Sequence, residues 1–229
     1  MSILGKRFGI EVEFKDANMD DLARHMTHAL AGTGIEVRRE HYNHQVRGHW
    51  KIVSDGTVTE NGVRGGELVS PPIRGADLAR ELGLVLGAMN SHPDVSVNYQ
   101  CGLHVHVSWG GMTVAHVQNI VKRYADFENV IDSWIAPSRR GNANQWCATT
   151  VGRFSSDALG YSGDSLFGLQ RASTGKYYKL NLNKLEQYGT VEFRHHSGTT
   201  DVGKITNWIK WIAAFVDASA RVCSLSLHY

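Results

Sequence analysis

This 229-residue sequence lacks the features that mark several special classes of protein. No apolar run approaches the ~20 residues that a membrane-spanning helix needs, and no apolar segment near the start precedes a small-residue cleavage site. The three cysteines, Cys101, Cys147 and Cys223, form no Cys-x-x-Cys pair. We therefore expect a soluble, cytoplasmic protein without a disulfide framework or a cysteine-based zinc site.

The sequence also lacks a surplus of charge of either sign. Lys and Arg number 24 and Asp and Glu number 22, a formal net charge of +2, which gives no strong signal for nucleic-acid binding. Apolar residues (42%) and charged residues (20%) occur in ordinary globular proportions, which excludes a disordered or collagen-like chain. With no linker and no internal repeat, we expect a single domain over residues 1–229. Histidine, with 12 residues, is more abundant than usual.

Hydrophobic periodicity predicts strands interleaved with helices. The predicted strands cover 7–14, 35–39, 49–53, 66–70, 103–109, 180–182 and 190–195. The predicted helices cover 19–30, 76–89, 113–135 and 201–222, and 137–178 is expected to form loops with short helices. The turn signal at residues 54–56, Ser-Asp-Gly, should end the third strand. We predict an α+β fold: a curved, mainly antiparallel sheet with helices on one face and an open polar catalytic face.

Ligand-type side chains recur two residues apart on the predicted strands, so that each pair shares one face of its strand. The members are Glu11 with Glu13, His104 with His106, Glu192 with Arg194, and Glu67 on a fourth strand. Each pair alone is usually a solvated surface or an exposed ion pair. On a shared sheet, however, the carboxylates would repel one another, and the cluster would need cations to be stable.

The donor types indicate which cation the cluster would take. Several carboxylates with one or two imidazoles and no thiolate suit a hard divalent ion, Mg²⁺ or Mn²⁺. The sequence has no His-Glu-x-x-His motif that would favour zinc. Mg²⁺ commonly shares its coordination with phosphate oxygens, and Arg194 would supply positive charge for phosphoryl transfer. The residues alone therefore indicate a metal-assisted phosphoryl-transfer site on the sheet.

Six motifs follow one another along the chain. They are FGIEVEF (8–14), WKIVSDGT (50–57), GGELVSPP (65–72), CGLHVHVS (101–108), PSRRGN (137–142) and YYKLNLN with GTVEFRHHSGT (177–199). In this order they resemble the small amidoligase family of the carboxylate–amine ligase superfamily, which includes glutamine synthetase and glutamate–cysteine ligase. The resemblance implies a glutamine synthetase-like catalytic domain. It also implies an ATP- and Mg-dependent ligase that forms an amide bond, of peptide or isopeptide type, through an acyl phosphate.

The resemblance further implies roles for individual residues. The implied ligands of two or more Mg²⁺ or Mn²⁺ ions are Glu11, Glu13, Glu67, His104 and Glu192. The implied ATP-binding residues are His106, Arg139, Asn181, Asn183 and Arg194. The implied catalytic residues are Asp55, Arg140 and Arg194. In these roles Arg194 would contact the transferred phosphoryl group, Arg140 or Arg139 would anchor a phosphate or carboxylate, and Asp55 would take a proton from the amine.

The implied substrates are a small-molecule or peptide carboxylate and an amine, and the sequence identifies neither. Three alternatives stay open. A guanidino-kinase-like phosphotransferase would release a stable phosphorylated product, a metal-dependent hydrolase would act without nucleotide, and a metal- or peptide-binding module would not turn over ATP. We expect no membrane partner, and the oligomeric state is left open.

Overall fold

The structure, a computed structural model, describes residues 3–60, 63–173 and 175–221. The strands are β1 (Lys6–Phe14), β2 (Val37–Arg39), β3 (Trp50–Glu60), β4 (Val63–Val69), β5 (Ile73–Arg74), β6 (Gly102–Trp109), β7 (Leu180–Asn181) and β8 (Val191–Ser197). The helices are α1 (Met19–Ala29), α2 (Leu78–Asn90), α3 (Val114–Trp134), α4 (Arg153–Gly160), α5 (Leu166–Ala172), α6 (Leu185–Tyr188) and α7 (Val202–Arg221). The strands form an open, mixed, mostly antiparallel sheet, which confirms the α+β class.

One sequence prediction is wrong, because β3 does not end at residues 54–56. It continues to Glu60, and its pairing with β4 changes register between Ser54 and Thr59. A register irregularity of this kind accommodates a turn-favouring Asp-Gly pair without ending the strand. Asp55 therefore lies inside a strand. The sequence prediction also missed β5 and α6, which are too short to show a period.

The chain forms two compact units. The first unit comprises Arg7–Val105 and Ser197–Ile209, and the second comprises Met1–Lys6, His106–His196 and Lys210–Tyr229. Both β6 and α7 contribute residues to each unit. The single domain expected from the sequence stays a prediction.

In the first unit, the strand order is β2-β3-β4-β1 followed by the first residues of β6, and β5 pairs with β1. Phe8, Ile10, Val12 and Phe14 alternate along β1 and are fully buried, as the period of a half-buried strand requires. Helix α1 begins after Asn18, whose side chain accepts hydrogen bonds from two backbone N–H groups of the first turn. Its buried face contacts α2, β2 and β3.

Two glycines of the GGELVSPP motif allow β4 to approach β1 closely. A Cβ atom on Gly65 would lie 2.6 Å from the carbonyl oxygen of Phe14, and one on Gly66 would lie 2.5 Å from Cζ of the same residue. No side chain fits in either place. The glycines thereby permit the register in which Glu13 of β1 lies directly opposite Glu67 of β4.

In the second unit, the later residues of β6 are followed by β8 and then by β7. Phe193 of β8 packs against Tyr124 of α3 and Phe215 of α7, with ring centroids 5.8 Å and 6.4 Å away. Aromatic packing therefore covers the face of β8 opposite Glu192 and Arg194.

Two further observations concern membrane-spanning helices and cysteines. Among the described residues, no helix has the length and apolar character needed to cross a membrane. Cys101 and Cys147 are buried and form no disulfide within the described residues, and Cys223 lies outside the described residues.

Candidate active site

Four of the predicted metal ligands come together on the polar face of the first unit. Glu13 and Glu67 are paired across β1 and β4, and His104 projects from β6 between the carboxylates. Its Nδ1 atom lies 3.2 Å from Glu11 Oε2 and 4.0 Å from Glu67 Oε1. Its Nε2 atom lies 3.5 Å from Glu13 Oε1. Glu11, Glu67 and His104 each offer a ligand atom within 4.8 Å of the other two.

This carboxylate cluster is crowded and poorly solvated. Glu13 is only 5% exposed, and one of its oxygens accepts a hydrogen bond from the backbone N–H of Gly102 at 2.6 Å. Burial raises the pKa of the Glu67 carboxyl well above its usual range. The negative charges of Glu11, Glu13 and Asp55 raise it further. Asp55, predicted to be catalytic, therefore lies within electrostatic reach of the cluster.

The donor set fits a hard divalent cation. Carboxylate oxygens dominate, one imidazole is present, and the repulsion that raises the pKa of Glu67 is the repulsion that a bound cation would relieve. The roles of Glu11, Glu13, Glu67 and His104 as ligands stay predictions, but the structure brings these side chains together.

Lys51, which the sequence analysis did not single out, lies on the same face of the sheet. Lys51 on β3 is paired with Val69 on β4, and Val69 is also paired with Glu11 on β1. The ammonium group is bound elsewhere, since Nζ donates to Asn43 O and Asn43 Oδ1 at 3.0 Å and to Gln45 O at 2.9 Å. An ammonium has three N–H donors, so Lys51 has none left for the carboxylates.

The other sheet residues of the prediction meet in the second unit around Glu192. Asn181 donates to Glu192 Oε2 and Arg194 donates to Glu192 Oε1, both at 2.5 Å. His106 Nε2 lies 3.9 Å from Glu192 Oε2. The other ring nitrogen of His106 lies 3.1 Å from the hydroxyl of Thr190, which the sequence analysis missed although it belongs to the GTVEF motif. Asn181, Glu192 and Arg194 thus form one hydrogen-bonded group.

The remaining predicted residues have different surroundings. Arg139 is 2% exposed. Burial raises the pKa of the Cys147 thiol, and the nearby charges of Arg139 and Arg194 oppose that effect. Arg140 is exposed, and its Nε donates to a backbone carbonyl of the preceding segment at 2.8 Å. Asn183 donates its backbone N–H to Asn181 Oδ1 at 2.9 Å. The functional roles of these residues stay predictions.

A second group of charges in the second unit was not foreseen. The buried ammonium of Lys179 donates to Glu128 Oε1 at 2.8 Å and to Asp132 Oδ1 at 2.7 Å. Both carboxylates also hold the segment that follows α3, since Asp132 accepts the N–H of Gly141 at 2.8 Å and Glu128 accepts the N–H of Thr150 at 2.7 Å. Acidic residues four apart on a helix resemble an exposed face in sequence, so no pattern distinguishes them.

His195 extends this charge network towards the core. Burial lowers its pKa to about 4, so the ring is neutral at pH 7. Its Nε2 lies 2.6 Å from Asp132 Oδ1 and its Nδ1 lies 2.7 Å from the hydroxyl of Tyr124. A neutral ring satisfies both contacts when Nε2–H donates to the carboxylate and Nδ1 accepts from the phenol, whose own pKa burial raises.

Comparison with known proteins identifies a family. The sequence model of the protein family described as "Putative amidoligase enzyme" matches residues 4–216. That range includes all of the predicted site residues and residues of both units. A search of the curated proteins found no match.

Proposed function

Because the chain belongs to the amidoligase family, we propose that it is an ATP- and Mg-dependent ligase. It joins a carboxylate to an amine in an amide bond, of peptide or isopeptide type, through an acyl-phosphate intermediate. We further propose that residues 1–229 act as one catalytic domain of the glutamine synthetase type. The substrates are a small-molecule or peptide carboxylate and an amine, and the protein acts in the cytoplasm.

The observation that carries this proposal is the carboxylate cluster in which His104 lies within 4.0 Å of three glutamates. Three of these side chains present ligand atoms within 4.8 Å of one another, and the like charges raise the pKa of Glu67. We propose that the ions are held by Glu11, Glu13, Glu67 and His104, with Glu192 as a further ligand. Bound Mg²⁺ or Mn²⁺ would neutralise the phosphate charges of ATP.

Arg194 has the central role in the proposed phosphoryl transfer. A carboxylate is a poor electrophile, and transfer of the γ-phosphoryl group makes one of its oxygens a good leaving group. The guanidinium of Arg194, oriented by its 2.5 Å contact with Glu192, would bind the oxygens of the transferred group. Arginines in this role accelerate phosphoryl transfer by about 10³–10⁵.

Other residues would bind, orient and exchange protons. We propose that His106, Asn181, Asn183 and Arg139 contact the nucleotide, and that Arg140 anchors a phosphate or carboxylate. Asp55 would accept the proton that the attacking amine loses.

Water must be excluded, because hydrolysis of the acyl phosphate would waste ATP. The segment 137–178 is the proposed lid. Its first part is bound to α3 through Asp132 and Glu128.

ADP release tests the proposal. Purified protein is incubated with Mg²⁺, ATP and pools of carboxylates and amines, and the products are identified by mass. Glu13→Gln and His104→Asn should each lower ADP release by about 10² or more, because each removes a proposed ligand of the essential ions. Arg194→Lys should also lose activity, since lysine lacks the planar fork of arginine. Glu36→Gln, at an exposed carboxylate, should retain full activity.

The same experiment separates the alternatives. A condensed product with release of ADP supports the ligase. A stable phosphorylated product would indicate a phosphotransferase, turnover without nucleotide would indicate a hydrolase, and no turnover with any pool would indicate a binding module. Full activity in both Glu13→Gln and His104→Asn would contradict the proposed metal site.

A further inference from the structure

The first unit contains an open pocket of about 690 Å³ that includes none of the predicted site residues. It lies where β2 ends, between the first turn of α1 and the loop 40–47. The lining includes Asp20 of α1, Arg39 of β2 and the loop residues Glu40, His41 and Arg47. Its volume is in the range of pockets that bind small molecules.

The loop that forms one wall is held by hydrogen bonds of its charged residues. Glu40 accepts from His49 at 2.7 Å, from Asn43 at 2.9 Å and from Arg47 at 3.1 Å. Although burial raises the pKa of Glu40, these bonds lower it to about 2. Lys51 binds three further oxygens of the same loop. The wall therefore has a defined shape without regular secondary structure, and Glu40 is occupied by its own neighbours.

Two other side chains of the pocket retain binding capacity. The Nε of Arg47 donates a hydrogen bond to Glu40, and within the described residues neither Nη atom of Arg47 donates one. Asp20 has a side chain that is 70% exposed, and one of its oxygens lies 3.8 Å from Arg39 Nε. At that distance the two side chains form an ion pair without a hydrogen bond. The buried Nε of Arg39 has no hydrogen-bond partner in the described part of the chain. The pocket thus offers a guanidinium fork at Arg47 and a carboxylate at Asp20.

We propose that this pocket binds an amino-acid group that carries both a carboxylate and an ammonium. The carboxylate binds the Nη atoms of Arg47, whose planar fork matches it. The ammonium binds Asp20, because Glu40 has no comparable capacity. A simple anion would bind only Arg47, and a simple cation would bind only Asp20.

The pocket wall is connected to the polar face of the sheet that carries the carboxylate cluster. Lys51 holds the loop through Asn43 and Gln45, and it lies in the same row of the sheet as Glu11, with Val69 between them. Two strand spacings separate Lys51 from Glu11, about 10 Å. A substrate held in the pocket by an amino-acid group can therefore extend towards the cluster. The claim that the bound group is part of a ligase substrate rests on the proposed function, whereas the claim that the pocket binds an amino-acid group does not.

Calorimetric titration without nucleotide or metal tests the inference. The probes are the free amino acids and dipeptides, each with its N-acetylated and C-amidated derivatives. At least one free probe should bind, and both of its derivatives should bind about 10- to 100-fold more weakly, since each has lost a charge-assisted hydrogen bond. Arg47→Gln should remove the preference for the free probe over its amidated derivative. Asp20→Asn should remove the preference for the free probe over its acetylated derivative.

The chain offers a matched control for each variant. Arg38→Gln changes an exposed arginine of β2, and Asp21→Asn changes an exposed residue in the same turn as Asp20. Neither residue lines the pocket, so both controls should bind the probe as the unmodified protein does. Circular dichroism confirms that each variant is folded.

The inference would be overturned by the absence of binding by any free probe, or by affinities that Arg47→Gln and Asp20→Asn leave unchanged. Equal binding of a free probe and its acetylated derivative would likewise exclude recognition of the ammonium. Since neither ATP nor metal is present, binding can succeed where ADP release fails. The failure of this inference is therefore distinguishable from failure of the proposed ligase activity.

Discussion

The carboxylate cluster of the first unit and the charge network of the second unit shift the pKa values of their acidic side chains in opposite directions. In the charge network, Glu128 and Asp132 share the ammonium of Lys179, and the lowered pKa of Asp132 reflects that lysine and the N–H of Gly141 acting against burial. In the cluster, burial and neighbouring carboxylates raise the pKa of Glu67.

The difference lies in where each group obtains its positive charge. The network includes its own cation, the ammonium of Lys179, and its carboxylates hold backbone segments. The cluster has His104 among its glutamates, while the ammonium of nearby Lys51 donates to a loop. A divalent ion from solution would complete the cluster. The charge network is therefore a structural group, whereas the crowded carboxylate cluster, in which like charges raise the pKa of Glu67, is the candidate site.

Removal of the internal cation should have the largest effect. Lys179→Met leaves Glu128 and Asp132 buried without their counter-charge, and we expect it to lower the free energy of unfolding by about 3–5 kcal/mol. Urea denaturation measures the loss. Lys122→Met, at an exposed residue of α3, the helix that carries Glu128 and Asp132, should change the free energy of unfolding by less than about 1 kcal/mol. Equal effects of the two variants would contradict a structural role for the network.

The neutral state of His195 predicts a pH dependence of stability. Its pKa is about 4 in the folded protein and 6.5 for an unperturbed histidine, so between these values the unfolded state binds the additional proton. The free energy of unfolding should therefore fall as the pH is lowered from 6.5 to 4, by about 3 kcal/mol from this residue. His195→Asn should flatten the profile in that window. Exposed His28→Gln should not, and a flat profile in the unmodified protein would contradict the assignment.

The smallest effect is expected within the cluster itself. In buffer free of divalent metal, Glu67→Gln replaces a carboxyl whose ionised form is disfavoured by burial and by its neighbours, and it should leave the free energy of unfolding unchanged or raise it by up to about 1 kcal/mol. Glu128→Gln weakens a satisfied ion pair and should destabilise. Urea denaturation of the two variants compares the two groups of carboxylates directly. A comparable loss of stability in both variants would mean that the carboxylate cluster and the charge network do not differ in the way described.

Much of the cluster could be predicted because strands have a period of two. The alternation of residues in β1 and β8 is enough to place Glu11 with Glu13, and Glu192 with Arg194, on shared faces. The repulsion between Glu67 and its neighbours follows from the strands lying in one sheet.

What escaped prediction depends on register and tertiary contacts. The continuation of β3 past Asp55 arises from a shift in its pairing with β4, and no local signal distinguishes that shift from a turn. Lys179 is one lysine among many in sequence, and only the fold brings it to Glu128 and Asp132. The pocket beside Arg47 depends on hydrogen bonds within a loop that has no periodic pattern.

Binding of Mn²⁺ tests the central claim most directly. Calorimetric titration of the unmodified protein with MnCl₂, without nucleotide, should show binding that Glu13→Gln and His104→Asn each abolish or weaken by about tenfold or more. Glu36→Gln, at an exposed glutamate outside the cluster, should bind as the unmodified protein does. No binding by the unmodified protein, or equal binding by all four proteins, would contradict the assignment of the carboxylate cluster as a metal site.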